Sequence, residues 1–255
     1  DLPVNPAAPA AMAELFDRLA PDVVHVHAGV LSPFAFDGAR VALGRQLPLA
    51  ITWHCMLDGF VPALRAGVRH SRWSGAPIAL SAVSEAAADR VREVFGERVD
   101  LMPNGAELER WAARGEAAPT PPVRAVATMR LAPRKRGPAL LAVVEDAVEQ
   151  VGHEALRVDI VGDGPMRSPM EKAVRRRGLS DVVTMHGQLA RDRLPELYRG
   201  AHVFLAPASL EAFGIAALEA RTAGLVVLAR RGTGIEEFVQ DGVDGLLVDD
   251  DAGMA

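Results

Sequence analysis

The chain has 255 residues, of which 49% are hydrophobic, 24% charged and 5% aromatic. That balance belongs to a folded globular protein with room for one large or two modest domains. The net charge of −5 argues against a nucleic-acid binder. No apolar run approaches the roughly 20 residues that cross a bilayer, and the one cysteine, Cys55, fits a reducing compartment.

Residues 1–10 are Pro-rich, with neither the basic nor the apolar segment of a signal peptide and no initiator Met, so the chain is expected to begin mid-protein. Helical spacing over 11–20 ends at Pro21. Residues 23–27 (VVHVH) read as a strand with His25 and His27 on one side. A helix over 32–46, a strand over 49–53 ending at His54, a helix over 61–70 and a strand over 78–83 follow. Ser84 before Glu85 suits the start of a helix over 85–95. A brief strand at 99–102 runs into the turn Pro103-Asn104-Gly105. Residues 111–122, with Ala, Gly and a Pro cluster, read as a linker, giving domains over 1–110 and 123–255.

Beyond the linker, strands and helices alternate. Strands are expected at 123–129, 157–161, 182–185, 202–206 and 225–228, with helices at 139–151, 166–177, 194–200, 214–223 and near 236–239. Such alternation argues for a parallel sheet covered on both faces, with ligands in the crevice beyond the carboxyl ends of the strands. The candidate residues fall in those loops. In 207–219 (PASLEAFGIAALE), Glu211 lies in a loop, the amides near Gly214 open a helix, and Glu219 lies inside it. Helix-start amides with two carboxylates suit one elongated ligand bearing phosphate and sugar hydroxyls. Arg130 and Lys135, in 129–137 (MRLAPRKRG), could supply two cations for a diphosphate. Gly162-Asp163-Gly164-Pro165 reads as a tight turn, and Gly232 and Gly234 as a second anion-friendly helix start. His54 could donate to a substrate oxygen or move a proton. His25 and His27 have no third ligand at metal spacing, so packing or substrate contact is expected of them. Arg175, Arg176 and Arg177 read as a solvated helix end, with anionic lipid as the alternative partner.

In order, PDVVHVH (21–27), PNG (103–105), Arg130-Leu131 with Lys135, VGDGP (161–165), MHGQL (185–189), EAFGIAALEA (211–220) and GTGIEEFVQDGVDGLLV (232–248) resemble the retaining glycosyltransferases of family 4, over nearly the whole chain. The resemblance implies an α/β protein of GT-B fold, two Rossmann-like domains with parallel sheets, the N-terminal one incomplete. It implies a metal-independent, retaining transfer of sugar from a nucleotide-sugar (UDP-, GDP- or ADP-linked) to an acceptor glycan, lipid or small molecule. No other cofactor is implied. By motif match, Arg130 and Lys135 would hold the diphosphate, and Glu211 the donor-sugar hydroxyls beside the backbone of Phe213, Gly214 and Ile215. Glu219 would hold the ribose, Met185, His186, Gly187 and Leu189 would line the base pocket, and Gly162 would be a further donor-binding residue. His54 would lie near the reacting sugar, with Asn104 and Gly105 in the interdomain loop beside the donor. A cytoplasmic setting is implied, with peripheral contact at the inner membrane face as an extension. Two further readings stay open: a non-catalytic nucleotide-sugar-binding module, and a sugar-nucleotide epimerase of the same fold.

Overall fold

The computed structural model describes residues 5–71, 73–96, 98–112 and 121–255. The chain divides into two compact units, Asp1–Asn104 and Gly105–Ala255. The division precedes the stretch read as a linker. Trp111, the first residue of that stretch, is buried in the core of the second unit, and residues 113–120 of it lie outside those described.

In the first unit, α1 (Ala8–Leu19) leads into β1 (Val24–Ala28), α2 (Pro33–Gly44), β2 (Leu49–Trp53), α3 (Val61–Arg69), β3 (Ile78–Ala82), α4 (Glu85–Phe95) and β4 (Val99–Leu101). The four strands are parallel in the order β1-β2-β3-β4. Side chains alternate across a strand, so Val26, Ala28, Ile51, Trp53, Leu80 and Ala82 are buried. His25 and His27 are exposed and share a side, with ring centroids 4.5 Å apart. Trp53 meets Phe36 of α2 and Phe95 of α4 at 6.2 and 6.0 Å, so one face of the sheet carries both helices. The Ser84 hydroxyl accepts the Ala87 amide at 3.2 Å, and Gly96, at φ +72, closes the helix. Ser and Gly at those two positions suit a helix start and a left-handed stop.

The second unit opens with the short α5 (Leu108–Trp111). It continues through β5 (Val123–Thr128), α6 (Gly137–Val151), β6 (Leu156–Val161), α7 (Arg167–Arg176), β7 (Val183–Gly187), α8 (Leu194–Arg199), β8 (Val203–Ala206), α9 (Ile215–Thr222), β9 (Val226–Arg230) and β10 (Gly245–Val248). All six strands are parallel, in the order β10-β9-β8-β5-β6-β7. The sheet is wound from the middle outward in both directions. Ala125, Ala127, Val158 and Ile160 pack with Leu140, Leu141 and Val144 of α6 and Met170 and Val174 of α7. Val126, Phe204, Val227 and Ala229 pack on the opposite face with Trp111, Tyr198, Ala217 and Ala220. Burial on both faces accounts for strands that read as near-continuous apolar runs. Apart from the helix expected near 236–239, the expected strands and helices form, with ends shifted by a few residues. The elements α5 and β10 are additions to the sequence reading. The helix expected near 236–239 is a short 3-10 turn over Gly234–Glu237.

Candidate functional site

The second sheet reverses direction between β5 and β8, and a wound parallel sheet opens its ligand crevice at such a point. The two loops leaving it there are 129–136 after β5 and 207–214 after β8. Across them, the Lys135 ammonium donates a hydrogen bond to Glu211 Oε2, and both side chains are about four-fifths buried (18% and 22% exposed). Lys135 and Glu211 stand 76 positions apart in the sequence. The strand order alone brings them together. Arg130 lies exposed on the β5 loop.

The β5 loop rests on the Gly162-Asp163-Gly164 turn after β6. The Leu131 amide donates to the Asp163 carbonyl, and the Met166 amide to the Leu131 carbonyl, each at 2.9 Å. Gly162, at φ +138, comes so close that an added Cβ would lie 1.8 Å from the Met129 carbonyl oxygen. This turn is therefore a support for the chain carrying Arg130. Gly232 and Gly234 have a similar part. The Gly234 amide donates to the Glu211 carbonyl at 2.8 Å, and an added Cβ would meet the Ala212 carbonyl at 2.0 Å. The Gly232 amide is taken by Glu236 at 2.6 Å. With both amides engaged inside the protein, the second anion-friendly helix start is a scaffold for the Glu211 loop.

Gly214, at φ +87, turns the chain into α9, which begins at Ile215 with no side-chain cap on its first amides. Phe213 is buried against Phe238, with centroids 5.4 Å apart, while Ile215 is exposed. Glu219, one turn into α9, is buried and accepts a hydrogen bond from the Arg191 guanidinium at 2.8 Å. Burial raises the Glu219 carboxyl pKa, against the opposing pull of Arg191 and then Arg110. Nothing in the sequence pairs Arg191 with Glu219, which lies 28 residues on.

The segment around β7 is less concentrated. His186 pairs with Asp159 of β6 at 2.5 Å. Met185 leans on the α6–α7 core and Leu189 on the opposite one. Gly187, at φ +70, is crowded by the Arg167 guanidinium, 2.8 Å from where a Cβ would stand. The Gly162 amide donates to the Gly187 carbonyl at 2.8 Å. Arg177 pairs with Glu145, and Arg175 and Arg176 are exposed.

In the first unit, His54 follows β2 and shares a 2.8 Å hydrogen bond with His27. His25 bonds the Thr52 hydroxyl at 2.7 Å, and Thr52 the Ser81 hydroxyl at 2.8 Å. Asp58 pairs with Arg90 at 3.1 Å. Asn104 and Gly105 stand at the division of the units. Among the described residues no group of three or more His, Cys, Asp or Glu side chains is arranged to hold a metal ion, and no helix is long and apolar enough to cross a membrane. Partial burial holds the His54 pKa below its ordinary 6.5, and His27 and then His25 add to the effect. The folded ring takes up a proton less readily than the unfolded one. Its contribution to stability is thus complete above pH 6.5 and is lost as pH falls through the lower folded value. An imidazole NMR titration is expected to place the His54 midpoint below 6.5, and His54→Asn to flatten the acid side of the stability profile.

The sequence pattern of the glycosyl transferases group 1 matches residues 112–254, and that of glycosyltransferase family 4 matches residues 1–110. A GDP-mannose-dependent alpha-(1-6)-phosphatidylinositol monomannoside mannosyltransferase of Mycobacterium tuberculosis is 31% identical over 249 residues, covering 89% of this chain and 63% of that protein. A D-inositol 3-phosphate glycosyltransferase of Nocardia farcinica is 33% identical over 177 residues, covering 63% of this chain and 39% of that protein. The chain thus spans 39% and 63% of the lengths of these two curated relatives. Among solved structures, Anabaena HepE in complex with UDP and glucose superposes with a TM-score of 0.77 at 19% identity, covering 99% of this chain and 72% of the other. Sucrose-phosphate synthase of Thermosynechococcus elongatus gives 0.75 at 20% identity, covering 98% and 66%.

Proposed function

Because this chain belongs to the glycosyl transferases group 1 family and has the GT-B fold, we propose that it moves a sugar from a nucleoside-diphosphate donor to an acceptor hydroxyl, with retention and without a metal. The observation that carries this reading is the Lys135–Glu211 pair at the reversal point of the second sheet. In this pairing each group satisfies the other. A ligand with phosphate on one side and vicinal hydroxyls on the other serves both at once, phosphate taking Lys135 and hydroxyls taking Glu211.

Arg130 and Lys135 hold the diphosphate, and the first amides of α9 add donors. Charge grows on the leaving diphosphate as the glycosidic bond loosens toward an oxocarbenium-like state, and fixed cations and amides stabilise it there. These side chains supply the countercharge that a metal ion supplies in other transferases, so a chelator is expected to leave the rate unchanged. Glu211 and Glu219 position the sugar and the ribose, and the β7 segment borders the base. UDP and glucose accompany Anabaena HepE, and the mycobacterial relative is named for GDP-mannose. Uridine and guanosine donors are accordingly the first to test. The acceptor is a hydroxyl on a glycan, lipid or small molecule, with inositol phosphates first in line from the names of the relatives. The proposed setting is the cytoplasm, in keeping with a single cysteine.

Calorimetric titration with UDP, GDP and ADP tests the reading. At least one is expected to bind. Failure of a folded sample to bind any of the three would remove it. Binding without donor hydrolysis or sugar transfer would reduce the protein to a nucleotide-binding module.

A further inference from the structure

Among the described residues, Glu219 is the one charged residue that is buried, with 6% of its surface open to solvent. Its carboxylate accepts a single hydrogen bond there, from Arg191 to Oε1 at 2.8 Å. Arg191 comes from the loop after β7 and is half exposed, with 57% of its side chain open to solvent. Three charged or titratable groups act on Glu219 from the elements packed around it: Arg191, Arg110 of α5 and Tyr198 of α8. Arg110 is engaged with Glu107 at 3.9 Å. Burial pushes the Tyr198 hydroxyl far up, so it stays neutral. Arg191 is therefore the cation in direct contact.

A carboxylate used to bind two hydroxyls must be ionised, because the protonated acid gives up acceptor capacity and becomes a donor itself. Burial works against ionisation. Resting on the donor-site reading above, we propose that Arg191 is a positioning residue for the nucleotide. It holds Glu219 charged and fixes one carboxylate oxygen, so that the other faces the vicinal hydroxyls of the ribose. Arg191 itself need not touch the ligand. The competing picture is a latch, in which Arg191 blocks Glu219 and must be displaced by the incoming ribose. The two pictures differ in sign: removing a latch tightens binding, and removing a positioning residue weakens it.

The test is calorimetric affinity for UDP and GDP between about pH 5 and about pH 8, on the wild type, Arg191→Ala, Arg191→Lys, Glu219→Gln and the double variant Arg191→Ala/Glu219→Gln. Arg191→Ala is expected to weaken binding by about tenfold at the acid end, the order of one charge-assisted hydrogen bond lost, and by less at the alkaline end. The cause is the rise in the Glu219 pKa, which moves the acid limb of the profile upward. Arg191→Lys restores most of the loss. Glu219→Gln weakens binding at every pH, and adding Arg191→Ala to it changes nothing further. Unchanged or tighter binding in Arg191→Ala, or a loss equal at all pH values, overturns the proposal while leaving the donor site in place. A Glu219→Gln variant that binds like the wild type overturns the ribose assignment, and the role of Arg191 with it. Absence of nucleotide binding by the wild type overturns the donor-site reading itself.

Discussion

Lys135→Ala is expected to lower kcat by about 10²- to 10³-fold, the loss seen when one preorganised charge-stabilising donor is removed from a transition state. In energy that is about 3–4 kcal/mol. The position of the residue makes the effect large. Lys135 is mostly buried, and its partner Glu211 is equally so. A partly dry site strengthens its attraction to the growing negative charge relative to water. The same burial predicts a second, smaller effect. Glu211 loses its cation, so the free protein loses some stability, whereas the proposed donor site loses a phosphate contact. Glu211→Gln separates the two. It keeps the shape and the acceptor oxygen but removes the charge, so sugar positioning suffers while Lys135 remains to hold phosphate. Nucleoside diphosphate affinity is then expected to fall much further in Lys135→Ala than in Glu211→Gln, and transfer to fall in both. The double variant is expected to lose less than the sum of the two, because the residues touch and share one ligand. If Lys135→Ala lowered only the melting temperature and left kcat intact, the pair would be an ordinary structural ion pair.

Legibility in the sequence followed the range of the interactions involved. Local signals were sufficient where local chemistry decides. The Ser84 cap and the Gly96 stop bound α4, and continuous apolar runs marked the inner strands of the second sheet. The element β10 escaped because its four residues form a short run, and its place as an edge strand is set by pairing with β9. Trp111 escaped for a related reason. Its Ala- and Pro-rich surroundings look like a tether, yet the indole fills a gap beside Tyr198, with ring centroids 5.4 Å apart. Strand order is a tertiary property and has no local signature. Without it, Lys135 and Glu211 are two charges in two loops, and their joint meaning came only by motif resemblance. The same applies to Arg191, whose neighbours ARDR read as any solvated loop. Gly162 and Gly164 were legible as a tight turn, whereas Gly232 and Gly234 were read as an anion-friendly helix start. That both segments brace loops, those of Arg130 and Glu211, follows from contacts between segments far apart in the chain.

Those braces make the strongest stability prediction. Gly162→Ala is expected to destabilise the second unit by on the order of 4 kcal/mol, from backbone strain and overpacking together. At φ +138, a side chain other than hydrogen is disfavoured, and the new methyl would lie 1.8 Å from the Met129 carbonyl oxygen. That oxygen belongs to the backbone, so relief requires the β5 loop to move. The Met129 amide donates to the Val161 carbonyl at 3.0 Å and the Leu131 amide to Asp163 at 2.9 Å, so the movement breaks paired hydrogen bonds. Gly178→Ala is the control. It also has positive φ, at +71, but nothing lies within 4 Å of its added Cβ. Only the backbone preference is lost there, worth about 1 kcal/mol. Against a typical total stability of about 5–15 kcal/mol, the first change is severe and the second is mild. Urea denaturation followed by Trp111 fluorescence, with Trp53 and Trp73 of the first unit replaced by Phe in every sample, reads both. Trp111 lies in the core of the second unit, so its signal follows that unit. Equal midpoints for the two variants would mean that the Gly162 turn is not the brace. A low midpoint in Gly162→Ala should come with weak nucleotide binding in the fraction that still folds, because the displaced loop carries Arg130 and Lys135.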